Sequence, residues 1–217
     1  MSAAASSIRQ QTLGEEIANA ISHGTACMAA VAAVPVLIYY TAVTGNAANI
    51  VGASIFAATM VLLYLISTLY HALPEGRAKR VFLRLDHGSI YLFIAGTYTP
   101  FTLGALSGAW GWSLLGVVWG LALVGVVLKA GNWLSNPWLS TGLYLLMGWL
   151  VLIVAVPMLD RVAPAGLVWL VAGGLSYTLG VVFFVLDSRL RYAHFIWHLF
   201  VMGGTLCHFF AVLWYAK

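Results

Sequence analysis

Residues 50–73, IVGASIFAATMVLLYLISTLYHAL, decide the fold. The stretch holds no Asp, Glu, Lys or Arg, and it is longer than the roughly 20 helical residues that cross a ~30 Å hydrocarbon layer. It reads as a membrane-spanning helix. Near its end stand Ser67 and His71, one helical turn apart on one face. An ionisable or strongly polar group at that depth is costly unless something compensates it, so each one marks a candidate site.

The pattern repeats along the chain. Of 217 residues, 62% are apolar and only 7% are Asp, Glu, Lys or Arg, whereas soluble domains run at about 45–50% apolar. Mean hydropathy is +0.96. Hydropathy and turn residues place spans near 20–43, 48–73, 84–105, 110–130, 138–158, 163–187 and 192–215. The expected fold is an all-α integral membrane protein of seven transmembrane helices. Residues 1–19 form a short N-terminal segment and 20–217 one membrane domain. No cleavable signal is evident before the first apolar run, so the first helix is expected to remain as an anchor.

Seven crossings put the termini on opposite sides, and Lys and Arg favour the cytoplasmic one. With the N-terminus inside, the cytoplasmic segments hold Arg9, Arg77, Lys79, Arg80, Arg84, Lys129, Arg189 and Arg191, against Arg161 and Lys217 outside. This predicts N-in, C-out. The net charge of +4 comes from scattered single residues, which orient the protein and do not form a nucleic-acid surface. Cys27 and Cys207 fall within apolar segments and read as buried free thiols. Gly116, Gly120, Gly125, Gly173 and Gly174 suggest close helix packing. Pro35 and Pro100 lie inside predicted spans and should kink them.

Orientation sets the depth of each rare polar residue. Span two ends inside, bringing Ser67 and His71 to the cytoplasmic face. Spans three and seven start there, with Asp86 in the first turn of one and His194 and His198 in the first two turns of the other. Three segments therefore deliver Ser, His, Asp, His and His to one membrane layer. Three imidazoles with an open fourth position suit catalytic zinc, held by His71, His194 and His198. Asp86 can be a fourth ligand, but fits better as an outer carboxylate holding a water on the ion. Ser67 would orient a ligand or the substrate. The sequence His194-Phe-Ile-Trp-His198 lacks the Glu of a metalloprotease helix.

Other polar residues read as structural. His23 follows Glu16, Asn19 and Ser22 on one helix face and is expected to make a hydrogen bond, with the alternative of lining the same cavity. His87 points about 100° away from Asp86 on a helix. His208 lies ten residues beyond His198, roughly 15 Å deeper at ~1.5 Å per residue, and reads as an interhelical contact. In Gly96-Thr97-Tyr98-Thr99-Pro100, the hydroxyls can satisfy carbonyls released by the proline. Trp133, Trp138 and Trp214 read as interfacial anchors.

The ordered set Ser67-x-x-x-His71, Asp86, Gly96-Thr97-Tyr98-Thr99-Pro100 and His194-x-x-x-His198, together with Glu16-x-x-Asn19-x-x-Ser22-His23, resembles the bacterial haemolysin III proteins of the progestin and adipoQ receptor family. The resemblance implies a seven-helix bundle with zinc near the cytoplasmic face, on residues matching His71, His194 and His198. It further implies hydrolysis of a lipid amide or ester by zinc-activated water, with Asp86 positioning that water and Ser67 assisting. The partners would be membrane lipids. Two alternatives stand beside the hydrolase: a membrane-homeostasis or receptor-like sensor with structural zinc, and a cytolytic effector. A lytic pore requires a polar lining through the full thickness, whereas these polar groups gather at one face.

Overall fold

The computed structural model describes residues 9–217, and helices dominate it. In order these are α1 (Leu13–Thr44), α2 (Ala47–Ala72), α3 (Arg77–Leu103), α4 (Ala109–Ala130), α5 (Pro137–Gly148), a 3₁₀ stretch (Leu150–Val154), α6 (Ala155–Arg161), α7 (Pro164–Leu186) and α8 (Ala193–Tyr215). Among the described residues, six rods are long and apolar enough to cross a membrane: α1, α2, α4, the α5–α6 rod, α7 and α8. The surface is apolar as well, with Met28, Val36, Tyr39, Ile153 and Val168 exposed, as expected where lipid replaces water.

Two predicted boundaries move, for local reasons. The first helix starts at Leu13, seven residues before the predicted span, because Thr12 caps it and Glu15 closes a capping box with the Thr12 backbone. The third starts at Arg77 and runs through a basic turn before reaching its apolar part. This helix is the most polar of the long ones, yet it is central: Asp86, Ser89, Tyr91, Thr99 and Thr102 are all buried on it. Its polar side chains face other helices, which is where a membrane bundle can satisfy them.

Successive helices α1 to α4 pack against their neighbours, α7 pairs with α8, and α8 returns to α1 and touches α3. Close approach of α7 to α8 depends on glycine: a Cβ on Gly204 would lie 2.6 Å from the Tyr177 ring, and one on Gly173 would collide with His208. Gly125 serves the α3–α4 contact in the same way, against Tyr91. Gly116 and Gly120 do not share this role, since a Cβ on either would meet open space.

The fifth predicted span is not one regular helix. It breaks after Gly148, and Tyr98 from α3 fills the break: its hydroxyl lies 2.9 and 2.7 Å from the Met147 and Gly148 carbonyls and accepts from the Val151 N–H at 3.0 Å. Backbone groups freed by the break thus find a partner inside the bundle, as an apolar surround demands. The neighbouring threonines turn onto their own helix, Thr97 donating to the Ile94 carbonyl and Thr99 to that of Ala95. Both Pro35 and Pro100 sit within continuous helices.

Candidate metal centre

In its last turn, one residue before its C-terminal end, α2 presents His71; α8 presents His194 and His198 from its first two turns. One ligating atom from each of these three histidines lies within 4.8 Å of the others. The ring centroids are 5.1, 5.1 and 4.8 Å apart for the pairs 71–194, 71–198 and 194–198. The i, i+4 spacing puts two rings on one face of α8, and the α2 terminus supplies the third from across the bundle.

The other ring nitrogen of each histidine is already engaged. His71 Nδ1 lies 2.7 Å from Glu16 Oε2 and His194 Nδ1 lies 3.0 Å from Asp187 Oδ2. His198 Nδ1 lies 3.0 Å from Ser22 Oγ, and that hydroxyl donates its own proton to the Asn19 carbonyl at 2.8 Å. A carboxylate only accepts, and a hydroxyl whose proton is committed elsewhere must accept too. In its neutral form each of the three rings therefore carries hydrogen on Nδ1 and leaves Nε2 as a bare lone pair. His71 Nε2 is buried with no hydrogen-bond partner, an expensive arrangement in a closed interior unless a cation sits there. Carboxylates or hydroxyls behind imidazoles are what fixes ring orientation and raises basicity at metal sites. The residues fit a divalent ion that favours imidazole.

The charge behind the site is itself supported. Glu16 Oε1 pairs with Lys79 Nζ at 2.9 Å, and that ammonium also donates to the Leu73 carbonyl at 3.1 Å. Lys79 is buried. Lys79 lies in the first turn of α3, so its pairing with Glu16 ties that turn to α1.

A cavity of about 360 Å³ runs from this cluster into the bundle. Its walls are mainly apolar, with His194, His198, Asp86 and Ser67 at one end and Leu106, Leu114 and Met158 among the rest. Asp86 and Ser67 are buried. Asp86 is outside the cluster of ligating atoms and lines the same cavity as His194 and His198.

Both readings of His23 hold. Its Nδ1 lies 2.8 Å from Ser67 Oγ, it lines the cavity, and its ring stacks on His198 at 3.4 Å between centroids. His87 is outside the trio, its carbonyl accepting from the Tyr144 hydroxyl. His208 makes the interhelical contact read from spacing, to the Leu170 carbonyl at 3.3 Å. Cys27 and Cys207 are unpaired and partly buried. Sequence reasoning missed the roles of Glu16, Ser22 and Asp187 behind the three rings, and that of Lys79. Glu16 and Ser22 carried a signal, because they share the face of α1 that ends in His23. Asp187 sits in a turn and carried none.

Residues 11–209 match the family described as Haemolysin-III related. The chain belongs to the haemolysin III family. Among its relatives, the family member "Hemolysin-3" of Bacillus cereus is 41% identical over 94% of this chain and 93% of its own length. The "Hemolysin-3 homolog" of Bacillus subtilis (strain 168) is 44% identical over 94% and 95%. A more distant relative, "Monocyte to macrophage differentiation factor" of Homo sapiens, is 30% identical over 73% of this chain and 67% of its own, extending the likeness to the progestin and adipoQ receptor type. The resemblance read from the motifs is borne out. No solved structure matched the chain.

Proposed function

We propose that this protein is a zinc-dependent hydrolase of a lipid amide or ester, working at the cytoplasmic side of the bacterial inner membrane. The observation that carries the reading is the convergence of three bare Nε2 lone pairs, each set by a partner on Nδ1, at the polar end of an apolar cavity. In this reading α3 joins the six apolar rods as a seventh crossing within one membrane domain. Arg77, Lys79, Arg80, Arg84, Arg189 and Arg191 then flank the site on the cytoplasmic face, with the N-terminus inside and the C-terminus outside.

His71, His194 and His198 would hold the ion. A zinc ion there would polarise the scissile carbonyl and acidify a water. The protein supplies the rest. Apolar walls take the acyl chain and exclude bulk water. Asp86, on the wall beside the trio, accepts the proton of the attacking water and returns it to the leaving amine or alcohol. Ser67, whose hydroxyl lies 2.8 Å from His23 Nδ1, orients the substrate beside Asp86.

The test starts with elemental analysis of detergent-purified protein beside the His71→Ala, His194→Ala double variant. One zinc per chain, lost in the variant, supports the site; no metal in either sinks the reading. Lipid amides and esters are then screened for turnover, where Asp86→Ala should keep its metal and lose activity. The name hemolysin, borne by the two bacillary relatives, favours a second reading, lysis. Dye release from liposomes by the wild type, undiminished after metal removal, would support lysis and count against the hydrolase.

A further inference from the structure

The start of α8 is held in a conformation that its own sequence does not favour. Tyr192, two residues before His194, has φ 58° and ψ 9°, the left-handed region, and no side chain caps the helix there. A bulky residue rests there only when its surroundings impose it, and such outliers gather at functional sites. Here the imposing groups come from the other end of the chain. The Tyr192 N–H donates to Glu15 Oε1 at 2.8 Å. Glu15 is buried, and both its oxygens are gripped by the Arg9 guanidinium at 2.7 Å. One Arg9 nitrogen also donates to the Asp187 carbonyl at 3.0 Å and the Leu190 carbonyl at 3.1 Å. Gly14 leaves room for the Tyr192 ring, whose hydroxyl would lie 3.1 Å from a Cβ at that position.

Arg9 thus holds the backbone of the residue whose side chain orients His194, since Asp187 Oδ2 faces His194 Nδ1. Glu15 holds the residue that launches the helix carrying His194 and His198. We infer that Arg9 and Glu15 are positioning residues for the metal centre: the pair pins the α7–α8 turn from the N-terminal segment and so sets the reach of His194. The inference rests on the metal reading above. Arginine suits the task because its planar fork makes several directed bonds at once, to a carboxylate and to carbonyls together. A lysine would keep the charge and lose the fork.

The experiment uses intact chains in detergent, stripped of metal and titrated with Co²⁺, whose visible absorption reports a site of nitrogen ligands. Wild type, Arg9→Ala, Arg9→Lys, the near-isosteric Glu15→Gln and His194→Ala are compared, each also melted without metal. Wild type should bind one Co²⁺ and His194→Ala none. Glu15→Gln and Arg9→Ala should bind about tenfold or more weakly, the scale on which supporting groups act at metal sites, with an altered spectrum. Arg9→Lys should not restore wild-type affinity. Metal-free Glu15→Gln should melt somewhat below wild type, since the change strips Arg9 of its carboxylate, and Arg9→Lys close to wild type, while the weakening of Co²⁺ binding should not scale with these shifts. If wild type binds no Co²⁺, or His194→Ala binds it equally, the metal reading falls and the positioning role with it. If His194→Ala alone loses Co²⁺ while Glu15→Gln and Arg9→Ala bind as wild type, only the positioning role is overturned. Weakened binding that merely tracks a lowered melting point of the metal-free form would overturn it too, by making the pair a general structural clamp.

Discussion

Glu16→Gln separates the tautomer argument from mere proximity of three histidines. The carboxylate serves two partners, His71 Nδ1 at 2.7 Å and Lys79 Nζ at 2.9 Å. At 2.9 Å and an effective dielectric near 20, the ion pair has a gross attraction of about 6 kcal/mol. Desolvation offsets most of that, but removing one partner strands the other, at about 3–5 kcal/mol for a fully buried pair. With Glu16 side-chain exposure at 17% and Lys79 at 7%, the lower end, about 3 kcal/mol of bundle stability, is expected. At His71 the acceptor becomes neutral, which weakens a charge-assisted hydrogen bond by about 1–1.5 kcal/mol. That corresponds to about tenfold in metal affinity, up to a hundredfold if the ring reorients. Asp187→Asn should do less, a few-fold, because Asp187 is 29% and His194 13% exposed and water screens the exchange. The assay is competition for Zn²⁺ against a chromophoric chelator, with thermal melting alongside. Equal affinity for Glu16→Gln and wild type, or a larger loss in Asp187→Asn, would refute the argument.

Metal loading should raise the melting temperature of the wild type, by about 2.7 kcal/mol of added stability at a free-ion concentration a hundred times Kd; His71→Ala should show no such rise. Gly204→Ala drives a methyl group into the Tyr177 ring at 2.6 Å and should destabilise the bundle by about 1–3 kcal/mol, whereas Gly116→Ala, with open space at its Cβ, should melt like wild type. Tyr98→Phe leaves the Val151 N–H and the carbonyls at the α5 break without their partner, an expected loss of about 1–3 kcal/mol. A Tyr98→Phe protein as stable as wild type in thermal melts would show that the 3₁₀ stretch satisfies itself.

Much of the site was legible in residue spacing. His194 and His198 declare their shared face by the period of the helix, and loop charges led to the expectation that His71 and Asp86 lie at the same depth; of these two, His71 shares the cluster of ligating atoms. The break in α5 was not legible, because residues 138–158 carry no charge and are mostly apolar, and hydropathy does not distinguish a regular helix from one interrupted at Gly148. The Tyr98 hydroxyl that fills the break comes from fifty residues away.

The sequence by itself determined that this chain is a membrane bundle and pointed to His71, His194 and His198 as a set, since burying polar groups in hydrocarbon costs too much to be incidental. Only the tertiary structure decided which nitrogen of each ring is free. That depends on which face of α1 meets α2 and α8, and on an N-terminal arginine reaching the α7–α8 turn. A helical period reveals what one face carries; the face opposite is chosen by packing, where Glu16, Ser22 and Asp187 become the partners of His71, His198 and His194.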